Sequence, residues 1–279
     1  MSEKRVWLVT GAGRGMGADF VREARAAGDL VVAAGRNTDH LKAVFDDGPD
    51  LLISKLDVTR PADAERTVDQ AVERFGRIDI LVNNAGISYK GYFEEMTLDQ
   101  IHQQLEVNLF GPMIVTRAVL PVMRRQRSGH IISISSGAGI MGFEFSSAYA
   151  TSKFGLEGWM DVLRQEVQPF GIATTIVNPG FFRTDLISEK SMFFVEPTIK
   201  DYDDRRKVQM EWWPAQAGKQ PGNPKKLAKA LVELTRMTPP PVRFAAGVDA
   251  IRLAERKIET LRAEIEAYRR ISEDMGFDE

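Results

Sequence analysis

The 279-residue chain contains no cysteine, which excludes disulfides and thiolate metal sites and fits a reducing cytosol. Histidine is almost as scarce. His40, His102 and His130 stand apart without ligand spacing, so no metal centre is expected. Charge of one sign is also missing: 37 Lys and Arg against 39 Asp and Glu leave a net charge of -2, which offers no basic field to nucleic acid or an anionic membrane. Neither is expected as a partner. Long hydrophobic runs are lacking as well, since only Val6 to Val9 separate the charged start from Thr10-Gly11, too little for a signal-peptide core, and no stretch is expected to span a membrane. There is no internal repeat and no low-complexity tract. What is there, 43% hydrophobic and 27% charged residues, reads as a soluble globular chain, expected in the cytoplasm. At this length an α/β chain is commonly one compact unit, so residues 1–279 are expected to form a single domain.

The apolar run Val6 to Val9 leads into Thr10-Gly-Ala-Gly-Arg-Gly-Met-Gly17, and Ala18 to Ala27 then reads as helix. In that strand, turn, helix order, glycines allow close backbone approach to a phosphate, and the helix N-terminus supplies N–H donors and a positive dipole end. A second strand, Leu30 to Ala34, ends in Gly35-Arg36. Sites for NAD usually place a carboxylate here for the ribose 2′-hydroxyl. Arg36, with Arg14 in the glycine turn, could instead clamp a 2′-phosphate, which favours NADP(H) over a reading of both as solvated surface arginines. Further strands are expected at Leu51 to Leu56, Ile78 to Val82, His130 to Ser135, Ile172 to Val177 and Val242 to Ala246, with helices between them, the one at Pro61 to Phe75 capped by Thr59. This alternation implies a Rossmann-type α/β fold: a doubly wound parallel sheet with helices on both faces and ligands at the strand carboxyl ends.

Tyr149 and Lys153 fall at i and i+4 of a helical stretch, so both side chains share one face. An ammonium ~4 to 5 Å from a phenol favours the phenolate by roughly 3 to 4 kcal/mol at an effective dielectric near 20. That would bring a phenol of ordinary pKa about 10 within range of proton exchange with an alcohol or ketone. One of the hydroxyls around the end of the preceding strand, Ser133, Ser135 or Ser136, could stabilise a developing alkoxide. A Ser-His-Asp hydrolase is disfavoured, because there is no Gly-x-Ser-x-Gly elbow and no histidine evidently placed to serve the serine.

Taken together, Thr10-Gly11 with its Gly11, Gly15, Gly17 spacing, the Asn83-Asn-Ala-Gly86 motif, and Ser136 thirteen positions before Tyr149-x-x-x-Lys153 resemble the short-chain dehydrogenase/reductase family. The resemblance covers residues 5 to about 247 and implies an NADP(H)-preferring carbonyl reductase or alcohol dehydrogenase. It implies that Gly11, Arg14, Gly15, Met16, Gly17 and Arg36 hold the phosphates, and that Asp57 and Val58 contact the adenine. Asn84, Ala85 and Gly86 would border the cofactor. It also implies that Pro179, Gly180 and Phe182 flank the nicotinamide, that Thr184 bonds its carboxamide, and that Tyr149 and Lys153 take part in binding. The catalytic set implied is Asn108, Ser136, Tyr149 and Lys153, with Asn108 completing a proton path to bulk water.

Residues 186 to 224 are the least regular part, with Met192-Phe-Phe194 and Trp212-Trp213-Pro214, and are expected to form a mobile lid whose aromatics line a bulky apolar substrate or merely pack the lid down. Ile140, Met141 and Phe143 are further wall candidates, and Glu144 could select a polar group or be a solvated rim. From about Asp249 to 274 a helical extension carries an apolar seam of Ile251, Ala254, Ile258, Leu261, Ile265 and Tyr268, expected to pack on the parent domain or to join subunits. The resembled family implies a homodimer or homotetramer. Two rival readings remain: a nucleotide-sugar epimerase or dehydratase, which usually carries a different glycine spacing, and a non-catalytic NADP(H)-binding sensor, which could dispense with Ser136, Tyr149 and Lys153.

Overall fold

The computed structural model describes residues 4–184 and 192–277. Its first strand, β1 (Val6–Thr10), is buried at every position: Trp7 and Val9 enter one core layer, Val6 and Leu8 the other. Such a two-sided apolar strand belongs in the middle of a parallel sheet. β2 (Leu30–Gly35), β3 (Leu51–Lys55) and β4 (Ile80–Asn83) follow, then a short β5 (Ser88–Lys90), β6 (Gly129–Ile134), β7 (Ile172–Pro179), a short β8 (Met192–Phe194) and β9 (Arg243–Ala246). Seven strands form one parallel sheet in the order β3-β2-β1-β4-β6-β7-β9, and β5 pairs with β8 in a separate two-stranded ribbon.

One face is covered by α1 (Gly15–Ala26), α2 (Thr38–Val44) and the later α8 (Pro224–Leu234), through Phe20, Val21, Leu41, Leu227 and Leu231. The other is covered by α3 (Pro61–Phe75), α5 (Gly111–Gln126) and α6 (Ser147–Val167), through Val68, Val115, Val119, Leu156 and Met160. The strand order reverses between β1 and β4, and the carboxyl ends of those strands open there. This is the doubly wound α/β fold expected from the strand and helix alternation.

α4 (Leu98–Leu105) joins α5 through a π-helical turn at Glu106–Phe110. The continuous run Leu98–Gln126 is long and apolar enough to cross a membrane by length and composition, contrary to the expectation that no stretch would be. Here Val115, Val119, Val122 and Met123 of its α5 part pack into the core layer shared with α3 and α6, while Leu98 and Phe110 are exposed.

Other expectations are also corrected. α3 starts at Arg60 without a side-chain cap: Thr59 spends its backbone N–H and its hydroxyl on Asp57 Oδ1, and Asp63 accepts from the Asp57 N–H instead. Of the irregular segment expected at 186–224, residues 186–191 lie outside the described residues, and much of the rest is ordered as β8 and α7 (Asp203–Ala215). The last helix, α9 (Val248–Glu273), does not lay its seam on the domain. Only Ala250 is buried, while Ile258, Leu261, Ile265 and Tyr268 are exposed.

Candidate active site

The glycine loop is held from below by β4. The Thr10 hydroxyl accepts from the N–H groups of Asn84 (3.0 Å) and Ala85 (3.1 Å), and the Asn84 side chain donates to the carbonyls of Thr10 and Gly11. Gly11 has φ +64°, and a Cβ there would lie 2.9 Å from Ala85 Cα, so only glycine lets the two loops touch. No side chain caps α1, whose N-terminus opens on a cavity of about 230 Å³. An uncapped helix end with its N–H groups facing a cavity is where a phosphate binds.

That cavity is lined by most of the residues expected to hold a dinucleotide: Gly11, Arg14, Gly15, Met16, Arg36, Asp57, Val58, Asn84, Ala85 and Gly86, with Lys153 and Asn108 at its inner end. Among the glycine-loop residues, Gly17 is the exception. It is buried in the first turn of α1, where a Cβ would stand 2.3 Å from the Gly11 carbonyl oxygen, so its work is helix-to-loop packing. His40, which reading by spacing left without a role, sets its Nε2 2.9 Å from the Gly13 carbonyl and ties α2 to the glycine loop.

A second cavity of about 640 Å³ adjoins the first, and Met16, Ser135, Tyr149 and Thr184 line both. Tyr149 is therefore one of the side chains shared by the smaller cleft and the larger chamber. Ser136, Pro179, Gly180 and Phe182 belong to the chamber. Ser136 caps a short turn by accepting from the Ala138 N–H at 3.1 Å, and its hydroxyl lowers the pKa of Tyr149 against a larger rise caused by burial. Of the competing serines, Ser133 is buried in the core between Asn83 and Met160, whereas Ser135 keeps a buried hydroxyl with no hydrogen-bond partner at the junction of the two cavities.

Lys153 is buried and donates to the Ile134 carbonyl at 2.8 Å. Burial lowers its pKa to about 8, partly offset by the Glu157 carboxylate. Glu157 accepts from Asn178 at 2.6 Å and pairs with Arg243, while Asn178 also donates to the Ser136 carbonyl, so the floor beneath the serine is fixed by a buried polar network. Asn108 reaches the same cavity, yet its side chain brackets Ile87, accepting from its N–H at 2.9 Å and donating to its carbonyl at 3.0 Å. The π turn that carries it sets this alignment, a distortion common at functional sites.

The chamber wall is apolar and aromatic. Phe181, Trp212 and Trp213 form one cluster, with ring centroids 4.9 to 5.9 Å apart. Phe143 and Glu144 line it; Ile140 and Met141 are not among its lining residues. Glu144 is engaged by Tyr92 and Arg205. Asp249, in the first turn of α9, accepts from the Phe181 N–H at 2.6 Å, and Ala250 and Leu253 complete the wall, so the C-terminal helix begins as part of the site. Lys90, Ser88 and Ser146 also line the chamber. They escaped reading from sequence because the β5 and β8 pairing that places Lys90 has no signal in three-residue strands.

The short chain dehydrogenase family profile matches residues 5–192. The chain belongs to the short chain dehydrogenase family. Oxidoreductase BOA17 of Botryotinia fuckeliana is 34% identical over 271 residues, covering 96% of this chain and 98% of that protein. A 3-ketodihydrosphingosine reductase of Bacteroides thetaiotaomicron is 31% identical over 248 residues, covering 88% of each. The crystal structure of a short-chain dehydrogenase from Streptomyces avermitilis superposes with a TM-score of 0.89 at 36% identity, covering 99% of this chain and 100% of that one. This short chain dehydrogenase is thus an oxidoreductase that acts on an alcohol and carbonyl pair with a nicotinamide dinucleotide, NAD or NADP, and a small-molecule substrate.

Proposed function

We propose that this short chain dehydrogenase is an NADP(H)-dependent carbonyl reductase acting on a bulky, largely apolar ketone or aldehyde, in the cytoplasm, as a single Rossmann domain in a homo-oligomer. The observation that carries the reading is the position of Tyr149 at the junction of the two cavities, beside Ser136 and Lys153. When bound in the smaller cleft, the dinucleotide supplies the hydride.

The chain's own residues do the rest. Arg36, at the exposed end of β2, and Arg14, in the glycine loop, provide the cations for a 2′-phosphate. The Ser136 hydroxyl polarises the carbonyl and stabilises alkoxide character. Tyr149, whose pKa is raised by burial, is protonated at neutral pH and so donates a proton to the carbonyl oxygen. Lys153 anchors the ribose side of the cleft, and Asn108 holds the Ile87 loop against it. The aromatic wall of Phe181, Trp212 and Trp213 excludes water and takes the apolar part of the substrate. The name of the Bacteroides relative, 3-ketodihydrosphingosine reductase, supports reduction of a keto group as the reaction.

A panel of medium-chain ketones and aldehydes, followed by loss of the reduced nicotinamide absorbance with NADPH and with NADH, tests the reading. Turnover with NADPH that disappears in Tyr149→Phe is expected. Binding of NADPH without turnover across the panel would point to a sensor instead.

A further inference from the structure

Lys90 lines the chamber, is left unused by the proposed hydride-transfer chemistry and is costly where it stands. It is 3% exposed, its Nζ bonds Ser146 Oγ at 2.7 Å, and it stands 3.8 Å above the centroid of the Trp213 ring. No carboxylate pairs with it among the described residues. Of the two acids on the chamber wall, Glu144 is held by Arg205 and Tyr92, and Asp249 by the Phe181 N–H. Burial accordingly pushes Lys90 down to about 7. Beside it, Trp213 Nε1 is buried with no hydrogen-bond partner. Two adjacent nitrogen donors thus stand in the wall of an apolar chamber that also contains the reacting phenol: an amine whose one acceptor is the Ser146 hydroxyl and whose protonated form lacks a countercharge, and an indole N–H with no acceptor.

We propose that Lys90 Nζ and Trp213 Nε1 bind a carboxylate of the substrate, which makes the substrate class an apolar oxo acid, or the matching hydroxy acid. A carboxylate supplies the missing countercharge for Lys90 and the missing acceptor for the indole in one group. The proposal rests on the oxidoreductase reading for the identity of the reacting carbonyl, but its binding half does not depend on turnover.

Calorimetric titration with octanoate and with octan-2-one, its uncharged counterpart, separates the two. The wild type should bind octanoate on the order of tenfold tighter, the gain of one charge-assisted contact. Lys90→Met should remove that preference while octan-2-one binding persists, and Trp213→Phe, which keeps the ring and removes the N–H, should lower octanoate affinity several-fold. Equal binding of the two probes by the wild type overturns the proposal, as does an octanoate preference that survives in Trp213→Phe and in Lys90→Met. Should Lys90→Met fail to fold, Trp213→Phe decides alone. Octanoate preference without carbonyl turnover would leave the site standing and remove the reductase reading; turnover without the preference would do the reverse.

A separate observation concerns α9. Its exposed seam follows a heptad pattern, with Ile251, Ile258 and Ile265 at one core position and Ala254, Leu261 and Tyr268 at the other. We infer that the seam pairs with that of a second copy of this chain, antiparallel, with Ile258 against the partner's Leu261. The same register sets Ala254 against the partner's Ile265 and Ile251 against the partner's Tyr268. Flanking charges select it: Glu255 faces the partner's Arg262 and Lys257 the partner's Glu264, each twice by symmetry. Sliding by a heptad in one direction opposes Arg262 and Glu264 to themselves, and in the other Glu255 and Lys257. A parallel pair would oppose Lys257 to the partner's Arg262 and set Glu264 against the partner's Arg269, one repulsive and one attractive contact where the antiparallel pair has two attractive ones.

Sedimentation velocity tests this. Leu261→Glu, at an exposed position, should halve the assembly mass with an unchanged thermal unfolding curve. Arg262→Glu should weaken association, and Glu255→Arg with Arg262→Glu should restore it. A monomeric wild type, an unchanged mass for Leu261→Glu, or tighter association of Arg262→Glu, the sign expected of a parallel pair, would each overturn it.

Discussion

Lys153 donates to the carbonyl of Ile134 at 2.8 Å, and its Nζ stands 5.7 Å from the centroid of the Tyr149 ring. Helical spacing alone led to the expectation that the ammonium would acidify the phenol. Here burial of the phenol outweighs any such effect: Tyr149 is raised, with only Ser136 pulling the other way, and Lys153 is itself brought down to about 8. Both shifts have one cause, the removal of water from groups that would carry charge. In the ligand-free protein the midpoint of Tyr149 ionisation should therefore lie above about pH 10, the ordinary phenol value. An ultraviolet titration of the wild type, with Tyr149→Phe subtracted, measures it, and a phenolate appearing between pH 7 and 8 would restore the acidified phenol.

Arg36 and Arg14 line the smaller cleft from two elements, the end of β2 and the glycine loop. A 2′-phosphate between them would make charge-assisted bonds, and Arg36→Asp would set a carboxylate against it. The variant should weaken NADPH roughly tenfold or more and leave NADH unchanged or improved. Dissociation constants for both cofactors, measured by fluorescence, decide the matter; an unchanged ratio removes the 2′-phosphate assignment.

Gly17 was expected to touch the cofactor, but it faces inward. Gly17→Ala would drive a Cβ to 2.3 Å from the Gly11 carbonyl oxygen and 2.6 Å from Asn84 Nδ2, both part of the contact between loop and β4. The variant should lose about 1 to 3 kcal/mol of stability, the usual range for overpacking, as a lowered melting temperature in the absence of any cofactor. A melting temperature equal to the wild type, with cofactor affinity lost, would return Gly17 to the binding site.

What could be read from the residues in order was whatever local chemistry dictates. Glycines at fixed offsets after a strand, an i to i+4 pair on a helix and apolar runs at βαβ tempo placed the parallel sheet, the dinucleotide cleft and Tyr149 without a structure. The chamber was only partly legible, because its walls come from segments distant in sequence. Lys90 reaches it through a three-residue strand paired with Met192–Phe194, and Asp249 through a bond to Phe181 sixty-eight positions away. Asn108 lines the cleft, but its bonds to Ile87 depend on a π turn that no residue pattern announces. The seam of α9 was visible as a period of apolar residues; its solvent exposure was not, since periodicity does not say what covers a face.

His130 carries a pH dependence away from the active site. Thr175 gives its hydroxyl proton to the Pro241 carbonyl at 2.5 Å, so at 2.7 Å from the same oxygen His130 Nε2 must be the donor, and the buried imidazole is neutral with Nδ1 unprotonated. Burial, with a smaller contribution from Arg5, lowers its pKa from 6.5 to about 4. Between those values the unfolded chain binds a proton that the folded chain refuses, so the contribution of His130 to stability is present above pH 6.5 and declines as pH falls toward 4. The loss amounts to roughly 3 kcal/mol at full extent. Carboxylates such as Asp50 and Asp63, held below their ordinary values, lose stability in the same acid direction. Chemical denaturation of wild type and His130→Gln at about pH 7 and about pH 4.5 separates the two sources. The glutamine amide keeps a donor for Thr175 without titrating, so the variant should lose less stability on acidification, by on the order of 2 kcal/mol over that interval. Equal losses in the two proteins would show that the imidazole takes no part in the acid limb.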